Sequence, residues 1–162
     1  IGISLESLAA EMFAAPENPQ IIGEKISHYE ILALLGKGGM GEVYLAQDTK
    51  LNRKVALKIL PKQLIADAKR TNRFIREAQA ASALNHPNIV TIHEIGQSEE
   101  IHFIVTEFIE GKTLREVMKT ETLSIEQIIK IISQIANGIE AAHNAGFIHR
   151  DIKPENIMLR SD

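Results

Sequence analysis

Apolar and polar positions alternate along the first half of the chain in a pattern that predicts short strands with one inserted helix. The predicted strands cover residues 29–35, 42–46, 55–60, 89–95 and 101–108. Each is rich in apolar or β-branched residues and is bounded by glycine, proline or polar residues. Between the third and fourth strands, apolar residues recur near helical spacing, which predicts a helix over residues 66–84.

The second half of the chain changes to a helical period. Two residue pairs have the spacing of capping boxes: Thr113 with Glu116, and Ser124 with Gln127. The second box opens a predicted helix over residues 124–144, whose isoleucines form a stripe that requires burial. Gly146 is its predicted C-terminal cap. Strands followed by helices predict an α+β fold with two lobes.

The first 26 residues are predicted to lie outside this fold. Residues 1–15 are rich in Ala, Leu and Glu and are predicted to form a short helix, which Pro16 and Pro19 end. We expect residues 1–26 to be an upstream tail and linker. The chain begins with Ile1, which favours processing or a longer parent chain.

Composition narrows the classes of function. The chain is 44% hydrophobic and 24% charged with a net charge of −3, which gives no electrostatic reason to expect nucleic acid or an anionic membrane as partner. It contains no cysteine, so disulfides and cysteine-ligated metals are excluded, in keeping with a reducing compartment. No apolar run is long enough to span a bilayer. The first residues lack the basic segment of a signal peptide.

A glycine-rich motif, GKGGMGEV, covers residues 36–43. Dinucleotide-binding folds also use G-x-G-x-x-G, but there the glycines lead into a helix. Here Gly41 leads into a predicted strand. A glycine hairpin between two strands can fold over phosphates, because backbone N–H groups approach them without a Cβ in the way. The alternative for the motif taken alone is an ordinary hairpin tip.

Two charged residues lie in apolar surroundings. Lys58 follows VAL in a predicted strand, where an ammonium is costly unless its charge is matched. It is either a phosphate ligand or a lysine at the sheet rim that reaches water. Glu77, on the predicted helix over residues 66–84, is a natural counter-ion for Lys58. Taken alone, the stronger interpretation of Glu77 is an exposed helix glutamate that pairs with a neighbouring arginine.

The sequence HRDIKPEN at residues 149–156 follows the predicted long helix directly. Its residue types suit phosphoryl transfer: Asp151 can accept a hydroxyl proton, Lys153 can neutralise the moving phosphoryl group and Asn156 can coordinate Mg²⁺. A solvated turn is the alternative, but a turn does not require this order of residues.

Taken together, these motifs resemble the protein kinase signature of a glycine-rich loop, V-A-I-K and H-R-D-x-K-x-x-N. GKGGMGEVYLA and the segment from Arg76 to Val90 resemble the bacterial branch of the serine/threonine protein kinases. The resemblance covers about residues 26–159. It implies the two-lobe kinase fold, with a five-stranded antiparallel N-lobe carrying one helix over residues 27–110. Residues 111–162 would be an incomplete helical C-lobe.

The resemblance also implies roles for single residues. The phosphate-covering loop corresponds to Gly36, Gly38, Gly39 and Gly41. Lys58 corresponds to the phosphate-binding lysine and Glu77 to its partner. The apolar residues around adenine correspond to Leu35, Val43, Ala56 and Met158, the gatekeeper to Thr106, and the hinge to Glu107 and Ile109. Asp151 corresponds to the catalytic base, Lys153 to the lysine typical of serine/threonine kinases, and Asn156 to a metal ligand.

The implied function is transfer of the γ-phosphoryl group of ATP, with Mg²⁺, to Ser or Thr hydroxyls of protein substrates. No nucleic acid and no membrane contact are expected for these residues, and the kinase domain is expected in the cytoplasm, with any membrane anchor outside them. The 162 residues contain no D-F-G motif or activation loop. We therefore expect a fragment that is inactive alone. The alternatives are a truncated kinase-like module that binds nucleotide or a partner without catalysis, and a small-molecule kinase of the same fold.

Overall fold

The computed structural model describes residues 2–3, 21–38, 41–149 and 151–161. The strands are β1 (Gly2–Ile3), β2 (Lys25–Ile26), β3 (Tyr29–Gly38), β4 (Gly41–Asp48), β5 (Arg53–Ile59), β6 (Ile92–Ser98), β7 (Ile101–Glu107), β8 (Gly111–Thr113) and β9 (Ile157–Arg160). The helices are α1 (Lys62–Ile65), α2 (Ala68–Ser82), α3 (Leu114–Thr120) and α4 (Ile125–Asn144), with a 3₁₀ turn at Pro154–Asn156.

The larger sheet contains all five predicted strands. Its order is β2-β3-β4-β5-β7-β6, and every neighbouring pair is antiparallel. The sequence missed β2, which lies inside the segment predicted to be a linker, because a strand of two residues has no detectable period. The predicted helix at residues 66–84 is present as α2, with the single turn α1 before it.

One face of this sheet carries the hydrophobic core of its unit. Along β4, Glu42, Tyr44, Ala46 and Asp48 are buried while the residues between them are partly open, which is the period of two that a half-buried strand requires. The core residues are Ile26, Tyr29, Ile31, Tyr44, Ala46, Val55, Leu57, Ile59, Phe103 and Val105. The partly open residues that alternate with the buried ones project from the opposite face of the sheet.

A buried carboxylate closes the turn between β4 and β5. Asp48 Oδ1 accepts hydrogen bonds from the backbone N–H groups of Lys50 and Leu51, both at 3.0 Å. Arg53 Nε lies 3.4 Å from Asp48 Oδ2, and His28 Nε2 lies 3.6 Å from Oδ1. Burial raises the pKa of the Asp48 carboxyl, but these donors outweigh burial and hold that pKa below its ordinary value.

We expect Asp48→Ala to lower the free energy of unfolding by about 2 kcal/mol, because the turn N–H groups and Arg53 lose the buried carboxylate that they share as acceptor. A lowered pKa in the folded state stabilises the fold above the ordinary aspartate pKa of about 3.9, and this stabilisation disappears as the pH falls through the lowered value. Urea unfolding of wild type and variant at pH 7 and at pH 3 measures the difference. Asp48→Asn, which keeps an acceptor for the two turn N–H groups, should cost less. An equal loss at both pH values for Asp48→Ala would contradict the role of the charge.

The second sheet is small, with the order β1-β9-β8. Gly2 and Ile3 pair with Met158 and Ile157, so the helix predicted for residues 1–15 is wrong at these two positions, and the rest of that prediction lies outside the described residues. The larger sheet with α1 and most of α2 forms one compact unit, and the small sheet with α3 and α4 belongs to a second. Within the described ranges, no helix is both long and apolar enough to cross a membrane.

Both predicted capping boxes are confirmed. The Thr113 side chain accepts from the N–H of Glu116, while the Glu116 carboxylate accepts from both the N–H and the hydroxyl of Thr113. The two bonds to the carboxylate lower the pKa of Glu116. Ser124 and Gln127 make the same reciprocal pair at the start of α4. Gly146 follows the C-cap of α4 with a φ of +78°, the left-handed conformation predicted for it.

The first half of α4 presents its isoleucines to solvent. Ile125 is 76% exposed, and Ile129 and Ile132 are about equally open at 61% and 59%. The stripe that the sequence predicts to be buried is thus uncovered in this part of the helix. Apolar patches of this kind promote association.

We expect the purified 162-residue chain to self-associate through this stripe. The double substitution Ile129→Lys/Ile132→Lys should reduce the mean mass measured by light scattering. It should leave the free energy of unfolding within about 0.5 kcal/mol, because exposed side chains contribute little to stability. Leu51→Lys, at an exposed leucine in the β4–β5 turn and outside α4, is the control and should leave the mass unchanged. Equal masses for wild type and the double variant would show that association does not use α4.

Candidate active site

Four of the predicted nucleotide-binding residues lie on the face of the large sheet opposite its core. Val43 on β4 is directly opposite Lys58 on β5, and Ala56 is directly opposite Thr106 on β7. Directly opposed residues of an antiparallel pair project from the same face, as do alternate residues of one strand. The strand register therefore brings Val43, Ala56, Lys58 and Thr106 to one surface.

Lys58 is the charged member of this surface. It is only 8% exposed, between the partly open Val43 on one strand and the buried Ile104 on the other. A lysine so placed requires an anionic or hydrogen-bonding partner, which argues against a rim lysine that merely reaches water. Glu77 is half-buried on α2. Its predicted salt bridge with Lys58 stays a prediction.

The glycine-rich motif forms the hairpin between β3 and β4. Gly36 is opposite Val43 and Gly38 is opposite Gly41, while Gly39 lies outside the described residues. Gly41 has a φ of +105°, and a Cβ there would overlap the carbonyl oxygen of Ile59. Only glycine tolerates both the positive φ and the close approach of the Ile59 carbonyl. Glycine at position 41 therefore allows the hairpin to lie close against the end of β5.

The remaining residues predicted around the adenine differ in their surroundings. Leu35 lies at an irregularity in the β3–β4 register and is 47% exposed. Glu107 ends β7, and its carbonyl accepts a hydrogen bond of 3.2 Å from the Thr106 hydroxyl. Ile109 is buried, and Met158 is half-buried on β9. The latter two belong to the second unit.

The described residues of the HRDIKPEN segment bring Lys153 and Asn156 each within hydrogen-bond distance of Asp151. Lys153 Nζ lies 2.8 Å from Asp151 Oδ2. The Asn156 amide nitrogen donates to the same oxygen at 2.9 Å and to the Asp151 carbonyl at 3.0 Å. Buried His149 accepts from the N–H of Asp151 through Nδ1 at 3.3 Å. Asp151 is therefore fixed by three neighbours of its own loop.

Comparison with known proteins identifies the family. Residues 29–162 match the model described as the protein kinase domain. The chain belongs to the protein kinase domain family. It is 45% identical over 141 residues to the serine/threonine-protein kinase PrkC of Bacillus subtilis, covering 86% of this chain and 22% of that protein. It is 41% identical over 147 residues to serine/threonine-protein kinase pkn3 of Myxococcus xanthus, covering 89% and 27%.

Solved kinase domains share the fold. The crystal structure of the Mycobacterium tuberculosis PknI kinase domain superposes with a TM-score of 0.76 at 31% identity, covering 86% of this chain and 58% of that chain. The predicted α+β kinase fold is thus confirmed, as is the resemblance to bacterial serine/threonine kinases. The chain spans about a quarter of the length of PrkC and pkn3 and about three fifths of the PknI kinase domain.

Sequence reasoning missed one ion pair at the HRDIKPEN segment. Arg115 on α3 places Nε 2.7 Å from Glu155 Oε1, in the 3₁₀ turn that contains Asn156. Hydrogen bonding by Arg115 lowers the pKa of Glu155. The two residues are 40 positions apart, so no local pattern links them. Only the glutamate lies in a motif.

Proposed function

We propose that this chain is part of a protein serine/threonine kinase that transfers the γ-phosphoryl group of ATP to Ser or Thr hydroxyls of proteins. The observation that carries the proposal is the contact of Asp151 with both Lys153 and Asn156. A module that only binds nucleotide has no need of this arrangement. The names of the similar bacterial proteins support the choice of serine and threonine.

The residues of the large sheet fit ATP. Val43 and Ala56 give the half-open face an apolar surface suited to an adenine ring, with Leu35 beside the hairpin and Thr106 as the small gatekeeper. Glu107 and Ile109 would offer backbone groups to the adenine edge, and Met158 an apolar contact. Lys58 supplies the positive charge that phosphates require, and Glu77 is proposed to orient it.

Asn156 fits a role as metal ligand. Its amide nitrogen is engaged by Asp151, so its amide oxygen is the atom suited to Mg²⁺. Among the residues that the structure describes, no three His, Cys, Asp or Glu side chains gather to hold a metal by themselves. Mg²⁺ is commonly held by one or two protein oxygens together with substrate phosphates, and it supplies neutralisation of the charge that develops during transfer.

Asp151 and Lys153 are proposed to perform the chemistry of this chain. Asp151 accepts the proton of the substrate hydroxyl as its oxygen bonds to the γ-phosphorus of ATP, while the bond from that phosphorus to the β–γ bridging oxygen breaks and ADP leaves. Lys153, held 2.8 Å from Asp151, places its ammonium next to that base and lowers the cost of negative charge on the moving phosphoryl group. The same lysine, two positions after the aspartate, favours Ser and Thr over Tyr as acceptors.

The proposal predicts the chemical identity of the product. A chain of full kinase-domain length, incubated with γ-labelled ATP, Mg²⁺ and a generic protein substrate, should produce phosphoserine and phosphothreonine. The 162 residues alone are proposed to transfer little, because Asn156 is their one matched family ligand for Mg²⁺. Phosphotyrosine as the main product, or label on a small molecule only, would contradict the proposal.

A further inference from the structure

A buried glutamate at the base of the glycine-rich hairpin has a partner for each carboxylate oxygen. Glu42 is 4% exposed. Lys37 Nζ lies 3.0 Å from Glu42 Oε1, and the Tyr44 hydroxyl donates to Oε2 at 2.6 Å. None of these three residues has a role in the proposed phosphoryl transfer.

The three side chains join both strands of the hairpin. Lys37 on β3 is directly opposite Glu42 on β4, and the next pair towards the tip is Gly38 with Gly41. On its other side Glu42 is opposite Ile59, the last residue of β5. The Glu42 carboxylate thus ties the first strand of the hairpin to the second at the point where the second meets β5.

These contacts lie on the face of the sheet away from the proposed nucleotide surface. Glu42 and Tyr44 alternate with Val43 along β4, and Val43 shares its face with Lys58. Tyr44 belongs to the hydrophobic core. Any effect of Glu42 on a nucleotide bound at that surface therefore has to pass through the hairpin backbone.

The electrostatics favour a rigid arrangement. Burial and the hydrogen bond to Glu42 raise the pKa of the Tyr44 phenol, so Tyr44 remains a donor at neutral pH. Hydrogen bonds to an ionised group are shorter and stronger than neutral ones. A buried carboxylate that loses a partner leaves an uncompensated charge, so a change in hairpin position that separates these groups is costly.

We propose that Glu42, held by Lys37 and Tyr44, is a positioning residue that fixes the glycine-rich hairpin in its phosphate-binding position next to Lys58. The inference rests on the proposed ATP-binding role of the hairpin. In this proposal, the group that sets the position of the hairpin is the Glu42 carboxylate, which lies on the core face of the sheet. Hairpin position affects the phosphates of ATP and leaves the adenosine part largely unaffected.

The test compares the affinities of the purified chain for ATP and for adenosine by calorimetric titration. Tyr44→Phe removes one donor without changing shape, and Glu42→Gln keeps shape while removing the charge that holds Lys37. Each should weaken ATP binding by about tenfold, the equivalent of about 1.4 kcal/mol, and change adenosine binding by less than about twofold. The double variant should weaken ATP binding by less than the product of the two effects, because both act on one network.

The matched control is Tyr29→Phe. Tyr29 is the other tyrosine of the chain, and it donates to Glu94 at 2.5 Å in the same sheet, outside the hairpin. This variant should lower stability comparably and leave the ratio of the two affinities unchanged. A wild-type preference for ATP that persists in Tyr44→Phe and Glu42→Gln would overturn the positioning role while leaving the proposed function intact. A wild-type chain without any preference for ATP would contradict the phosphate-binding hairpin itself.

Discussion

Asp151→Asn should lower the turnover of a chain of full kinase-domain length by about 10²–10⁴-fold, the usual contribution of a positioned general base. The amide is nearly isosteric with the carboxylate and still accepts the hydrogen bond from Asn156. It cannot take up the hydroxyl proton, and it loses the charge that pairs with Lys153. ATP affinity should remain nearly unchanged. Initial rates of labelled phosphate transfer, with ATP affinity measured in parallel, separate the two effects.

The control for this substitution is Asp67→Asn, the same change at another aspartate. Asp67 accepts from the N–H of Lys69 at the start of α2, a role that an asparagine oxygen also performs. The turnover of the Asp67→Asn variant should match that of wild type. Comparable rates for Asp151→Asn and Asp67→Asn would contradict the proposed role of Asp151 as the general base.

Lys58→Met should lower kcat/KM for ATP by about 10²–10³-fold, the range for losing one preorganised charge-stabilising group. Methionine fills the volume of the lysine stem on β5, so the sheet should persist. The buried positive charge on the proposed nucleotide surface is lost. Unlike Asp151→Asn, this substitution should weaken ATP binding as well as the rate.

Lys54→Met is the matched control for Lys58→Met. Lys54 lies on the same strand, an even number of residues from Lys58, and is exposed. The Lys54→Met variant should bind ATP with the affinity of wild type. If both methionine variants bound ATP alike, Lys58 would be no more than a structural lysine.

Local signals in the sequence predicted many of the helices and strands and the motifs that contain the candidate site residues. The capping boxes at Thr113 and Ser124 depend on residues three positions apart, and both are present as predicted. The strands on either side of the glycine motif also follow from local alternation. The contacts within HRDIKPEN could be anticipated because they join residues at most five positions apart.

Interactions between distant residues could not be predicted. The Arg115–Glu155 pair and the Tyr29–Glu94 hydrogen bond join residues 40 and 65 positions apart, so no local pattern links the two partners of either pair. β1 and β2 have two residues each, too few to show a period. For the exposed isoleucines of α4, the sequence predicted the apolar face correctly but its burial wrongly. A helical stripe of apolar residues does not specify what covers it.

The binding of Mg·ATP to the purified 162-residue chain tests the central claim most directly. Calorimetric titration of wild type, Lys58→Met and Asp151→Asn under one set of conditions is sufficient. The account predicts one ATP per chain for wild type, similar affinity for Asp151→Asn, and binding weakened by about tenfold or more for Lys58→Met. Equal affinities for wild type and Lys58→Met, or no binding by any of the three chains, would contradict it.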